Sequence, residues 1–223
     1  MSKLWVFGDS FSAEFKLNTD WCREYVGWKK YIPKVYSSVI SEKLNIPYTN
    51  KAVGGKDNYT IFEQIWDNAN DIGEDDIIII GWSMVTRFRL ANPAILNWET
   101  FIPGYKYNGL EQCQISKNTF NEILINRTQM NYEVELTKIA NFINFAFKTQ
   151  KIIHWRWDDM GRLKQYSTIN QETSNKVFDL HYSETGHLEL ADDIIKCIQN
   201  ENRINNLCWF AETLYYNKNK SLI

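Results

Sequence analysis

Three residues of this chain are of the types that nucleophilic catalysis requires, and they lie at its two ends. Ser10 sits in Gly8-Asp9-Ser10-Phe11-Ser12, while Asp179 and His181 sit in Val177-Phe178-Asp179-Leu180-His181. A serine hydroxyl is a weak nucleophile until an imidazole accepts its proton and a carboxylate orients that imidazole. The apolar run Lys3-Leu4-Trp5-Val6-Phe7 predicts a buried strand ending at Gly8, where the chain turns without a Cβ clash and lifts Ser10 from the sheet. In an extended segment, side chains two residues apart point the same way, so Asp179 can hold His181 in the tautomer that accepts a proton from Ser10. Taken alone, Gly-Asp-Ser fits better a turn in which Asp9 or Ser10 caps a helix. The Asp-His pair at the far end favours chemistry.

The elements that must position these residues are legible as alternating strands and helices. Strands are predicted at 3–7, 47–51, 77–80, 151–155 and, as a short fifth, 176–179. Ile77-Ile78-Ile79-Ile80 has no polar alternation, the pattern of a central strand covered on both faces. Helices are predicted over 28–44, 59–70, 132–148, 187–198 and 205–216 from apolar residues at helical spacing. Such alternation gives a three-layer α/β sandwich with a mostly parallel sheet of about five strands, read as a single domain over 1–223. Ligand sites in these sheets lie beyond the carboxyl ends of the strands. Gly8-Asp9-Ser10, Gly54-Gly55, Gly81-Trp82-Ser83 and Asp179/His181 all fall there. Pro93, Pro103, Gly104 and Gly109 mark 91–119 as a long loop excursion of the kind that covers a site.

Bulk properties narrow the partners. A net charge of -2 and a pI of about 6.0 leave no basic surface for nucleic acid. No run is long enough to span a bilayer, and MSKLWVFGDS lacks the apolar stretch of a leader. A cytoplasmic location without membrane attachment is expected, with release by lysis or carriage on a virion left open. Cys22, Cys113, Cys197 and Cys208 form no CxxC pair and read as reduced thiols. Asp158-Asp159 has no accompanying cluster at metal-ligand spacing. His187 reads as a packing or capping residue at the start of a helix.

The blocks together resemble the SGNH (GDSL) hydrolase family. Gly8-Asp9-Ser10-Phe11-Ser12 is similar to its nucleophile motif. Asn50-Lys51-Ala52-Val53-Gly54-Gly55-Lys56-Asp57-Asn58 looks like its glycine block, and the stretch from His181 to Gly186 is similar to its last block. The resemblance implies a flavodoxin-like α/β/α sandwich and ester hydrolysis, with Ser10 as nucleophile, His181 as base and Asp179 as orienting acid. It implies neither metal nor organic cofactor. It also implies an oxyanion hole from the backbone N–H groups of Ser10 and Gly55, with a side-chain donor from a third block.

Two features depart from that pattern. One residue, Leu180, separates acid and base where the family usually has two. In the third block, Gly81-Trp82-Ser83-Met84 puts Ser83 where an asparagine amide is expected. Complete loss of such a donor costs about 3–4 kcal/mol in the barrier. Arg87, one helical turn on, reads equally as a cation serving the same region and as a surface ion pair. Asp9, Asn58, Trp82, Arg87 and His154 are candidates for substrate contact, although His154 fits a core role better. Trp98, Tyr105, Tyr107, Trp155 and Trp157 near loop ends would, where they line the cleft, suit stacking on sugar rings. Three readings therefore stand open: a serine esterase, including a carbohydrate O-acetyl esterase; an acyltransferase on the same residues; and a non-catalytic glycan- or partner-binding module. The oligomeric state is not encoded in any recognisable pattern.

Overall fold

The computed structural model describes residues 2–17, 20–84, 87–92, 97–101, 116, 118–119, 122, 129–157, 165–208 and 210. Five strands form one parallel sheet: β1 (Leu4–Gly8), β2 (Tyr48–Asn50), β3 (Ile77–Trp82), β6 (Lys151–Arg156) and β7 (Ile204–Leu207), in the order β2-β1-β3-β6-β7. The register sets Gly8 beside Gly81 and Gly81 beside Trp155, so the three central strands end level with one another.

Alternation along these strands divides the core. Trp5, Phe7, Ile78, Ile80, Trp82 and Ile152 face α3 (Asn58–Asp67) and α4 (Gln129–Ala146). Leu4, Val6, Ile77, Ile79, Ile153 and Trp155 face α2 (Tyr36–Leu44) and α6 (Glu184–Gln199). Helices thus cover both faces, giving the three-layer α/β/α arrangement. Each fully buried isoleucine of β3 contributes about 1.5–3 kcal/mol, which fixes the strand's register against β1 and β6. No helix among the described residues is long and apolar enough to cross a membrane.

Three expected elements differ. The helix expected over 28–44 is two, α1 (Asp20–Lys29) and α2, because Lys30 turns left-handed (φ 67) and Pro33 cannot continue a helix. Residues 176–179 are not a strand. Ser174 and Asn175 both take positive φ (51 and 62), and the chain after them docks on the short helix α5 (Ile169–Glu172) instead of the sheet. The fifth strand is Ile204–Leu207, where the start of a helix is expected; its backbone pairs with β6. Within the expected excursion, β4 (Phe88–Asn92) and β5 (Asn97–Phe101) form an antiparallel hairpin. Residues 102–115 and 211–223 lie outside the described set.

A second small core positions the segment after α5. Phe15, Cys22, Tyr25, Val35, Ile169 and Val177 pack together. Above them Lys29 Nζ bridges Glu172 (2.6 Å) on α5 and Glu184 (2.8 Å) on α6. The Tyr25 hydroxyl donates to Glu172 Oε1 and accepts the Glu184 N–H. Burial raises the Glu172 carboxyl, but the bonds from Lys29 and its neighbours outweigh that and hold it down at about 2.

Candidate active site

β1 delivers Ser10 to the carboxyl edge of the sheet through a tight turn, with the Ser12 and Ala13 N–H groups on Asp9 O. Gly8 is required here for space. A Cβ on it would lie 2.4 Å from Ser12 Oγ, and one on Gly81 would lie 2.1 Å from the same atom. Ser12 is thus buried between two strand-end glycines, immediately under the turn.

The segment 177–183 brings the acid and base to Ser10. Ile169 N–H donates to His181 O (2.8 Å) and Asn170 N–H to Asp179 O (3.0 Å), so the first turn of α5 holds both residues by their carbonyls. His181 Nε2 lies 2.8 Å from Ser10 Oγ, and His181 Nδ1 lies 2.6 Å from Asp179 Oδ1. A carboxylate only accepts, so Nδ1 carries the ring proton and Nε2 accepts from the Ser10 hydroxyl. Ser10, His181 and Asp179 therefore form one connected chain of hydrogen bonds able to take a proton from the hydroxyl. The expected side-by-side extended geometry is not how they meet. Asp179 Oδ1 also accepts the His181 backbone N–H at 2.7 Å, a side-chain turn that curls the acid back onto its own base.

Phe11, which the motif alone does not single out, braces the base. Its ring stacks on His181 (4.5 Å between centroids) and, on its other side, on Trp157 (4.2 Å). Nothing in the spacing announces this, because Trp157 reaches the site from the end of β6.

Gly54 packs against Ser10: a Cβ on it would lie 3.6 Å from the Ser10 Cβ. Gly55 beside it has φ +77, a conformation that suits glycine. Among the described residues, neither the Ser10 nor the Gly55 N–H is taken by an acceptor. Both backbone donors are thus unengaged among the described residues.

Ser83 is placed differently from the expected oxyanion donor. It is fully buried, its N–H donates to Asn58 Oδ1 (2.8 Å) and its carbonyl accepts from Asn58 Nδ2 (3.2 Å). Its hydroxyl accepts from Arg87 Nη1 (2.9 Å). Asn58 is accordingly a clamp on the third block and, 7% exposed, presents little surface to a substrate.

Asp9 is buried beside Ser10, where it braces the turn and has no surface to offer a substrate. Its Oδ1 accepts the Phe11 N–H, and its Oδ2 accepts from Arg87 Nη1 (3.1 Å) and Trp157 Nε1 (3.2 Å). Burial pushes its carboxyl above the usual range, against the pull of Arg87 and these hydrogen bonds.

Trp82 is a core residue and not a substrate contact, and His154 takes its core role. Both are fully buried; Trp82 Nε1 donates to His154 Nδ1 (3.1 Å), and His154 Nε2 donates to Asn144 Oδ1 (2.9 Å). Burial holds the imidazole neutral, pushed down to about 3. Both ring nitrogens are occupied, so neither is left for a ligand. His187 is likewise buried, in a box of Phe15, Tyr36 and Tyr182, and is driven to about 3 by burial and by His181. The cap of α6 is Ser183, whose hydroxyl accepts the Gly186 N–H. Trp155 is core. Tyr105, Tyr107, Cys113, Asp158, Asp159 and the side chain of Trp98 lie outside what is described.

No family model matches the chain, and no curated protein matches it. A solved structure to which the chain is similar is that of a carbohydrate esterase whose active site displays divergent catalytic and non-catalytic binding functions. The likeness has a TM-score of 0.44 and 13% identity, covering 91% of this chain and 70% of that one.

Proposed function

We propose that this chain is a serine esterase of the SGNH (GDSL) type, hydrolysing carboxylic esters, O-acetylated carbohydrates among the candidates, through an acyl-enzyme. The observation that carries this reading is the connected chain from Ser10 Oγ to His181 Nε2 (2.8 Å) and from His181 Nδ1 to Asp179 (2.6 Å). Ser10 Oγ bonds to the ester carbonyl carbon while its proton passes to His181 Nε2 and the carbonyl electron pair moves onto oxygen. The Ser10 and Gly55 N–H groups receive that oxyanion. Collapse breaks the bond to the leaving alkoxide, which takes the proton from His181. Water then repeats the sequence on the acyl-enzyme and releases the carboxylic acid.

The test is labelling by a fluorophosphonate, together with cleavage of p-nitrophenyl acetate and of O-acetylated sugars. Labelling at Ser10 and turnover, both lost in Ser10→Ala, are expected. Wild-type turnover no higher than that of Ser10→Ala across the panel would overturn the reading, and acetyl transfer to added alcohols in preference to water would redirect it to an acyltransferase.

A further inference from the structure

The residue that should replace the missing third-block amide is itself engaged elsewhere. Ser83 Oγ is buried and accepts from Arg87 Nη1 (2.9 Å). The guanidinium bound to it has a different inventory. Arg87 Nη1 donates to Asp9 Oδ2 (3.1 Å), Lys56 O (3.2 Å) and Ser83 Oγ (2.9 Å). Each partner belongs to a different strand-end loop: Asp9 adjoins the nucleophile, Lys56 adjoins Gly55, and Ser83 opens the third block. The side chain is only 9% exposed, and among the described residues its Nε is buried without a partner and its Nη2 has no acceptor.

Resting on the esterase reading above, we propose that Arg87 supplies the electrostatic part of oxyanion stabilisation that an asparagine amide supplies elsewhere. A guanidinium carries a full positive charge that is not lost at any working pH, and its fixed fork keeps its remaining N–H groups in place once Nη1 is anchored. A charge in a site shielded from water acts on a developing oxyanion more strongly than it would in bulk solvent. Asp9 offsets part of that charge in the resting protein and holds the guanidinium, a role distinct from the proton chemistry of Asp179.

The experiment compares wild type with Arg87→Ala, Arg87→Lys and the double variant R87A/D9N. It measures kcat and KM on p-nitrophenyl acetate, the rate of fluorophosphonate labelling, and Tm. Arg87→Ala should lower kcat and labelling rate about 10²-fold with KM little changed. Arg87→Lys should fall between. R87A/D9N, which removes the uncompensated buried carboxylate, should recover Tm but not kcat. Millimolar guanidinium should restore part of the Arg87→Ala rate and leave wild type unaffected. A folded Arg87→Ala within threefold of wild-type kcat, or an R87A/D9N that regains kcat along with Tm, would overturn the proposal and leave Arg87 a neutraliser of Asp9. If wild type shows neither Ser10 labelling nor turnover, the esterase reading fails and this inference fails with it. If wild type reacts and Arg87→Ala reacts equally fast, only this inference fails.

Discussion

One oxygen of Asp179, Oδ1, receives both the backbone N–H of His181 at 2.7 Å and its ring Nδ1–H at 2.6 Å. A single intervening residue makes this double contact reachable, and the acid thereby fixes the base's main chain as well as its tautomer.

Asp179 variants should therefore fail for two separable reasons. Asp179→Asn retains an acceptor for the backbone but loses the charge that stabilises imidazolium, and should lower kcat by about 10³–10⁴-fold at near-unchanged Tm. Asp179→Glu keeps the charge but its extra methylene breaks the short turn, so it should also lose most activity. Steady-state ester cleavage alongside thermal melts measures both, and an Asp179→Glu with wild-type kcat would contradict the geometry.

Phe11 should matter to the base's alignment beyond its bulk. Phe11→Ala empties a site that is 4% exposed and should cost about 3–5 kcal/mol in urea unfolding. Phe11→Leu keeps most of the apolar volume and should cost about 1–1.5 kcal/mol. It nevertheless removes the stack between His181 and Trp157, so its kcat should drop by more than its stability loss explains.

Acid should destabilise this fold early. His154 and His187 are held neutral by burial down to about 3, whereas both take up a proton near 6.5 when unfolded. Between those values the unfolded chain binds more protons, so stability is complete above pH 6.5 and is lost as pH falls below it. Each histidine contributes a slope of up to about 1.4 kcal/mol per pH unit. Tm measured from about pH 7 down to about pH 4 should fall, and His187→Phe, which fits the same aromatic box, should flatten the fall.

Two glycines should respond oppositely to the same change. A Cβ at Gly81 meets Ser12 Oγ at 2.1 Å and the buried Trp155 ring at 2.7 Å, so both must shift to admit it. Gly81→Ala should cost about 3 kcal/mol and disturb the nucleophile turn. Gly27, on α1, has open space around its missing side chain. Gly27→Ala should raise stability by about 0.5–1 kcal/mol, read as a higher midpoint in urea.

The parts of this molecule legible in the sequence are those governed by local pattern. An unbroken apolar run names β1 and β3, and Gly8-Asp9-Ser10 follows from where β1 stops. The helical spacing of apolar residues over 132–148 announces α4, whose buried side carries Leu136, Ala140 and Ile143. The failures are all matters of partnership. Val177-Phe178 has strand-forming residues, yet the backbone just beyond it pairs with α5. Ile204-Asn205-Asn206-Leu207 has little strand character, and pairing with β6 makes it one. Trp82 reads as a candidate contact because no sequence pattern shows His154 beside it on the neighbouring strand. Arg87 is visible as a cation, but its three acceptors come from loops separated from it by up to 78 residues.

The anchoring of Asp179 and His181 on consecutive amides of α5 has a consequence for inactivation. The acid and base share one short docking site outside the sheet, beside the strongly exposed Phe178 and Leu180. A local opening that frees this segment would carry both away from Ser10 in one event while the sheet stayed intact. Mild heating should then silence the site reversibly well below the global melt, leaving a folded protein whose serine no longer has a base.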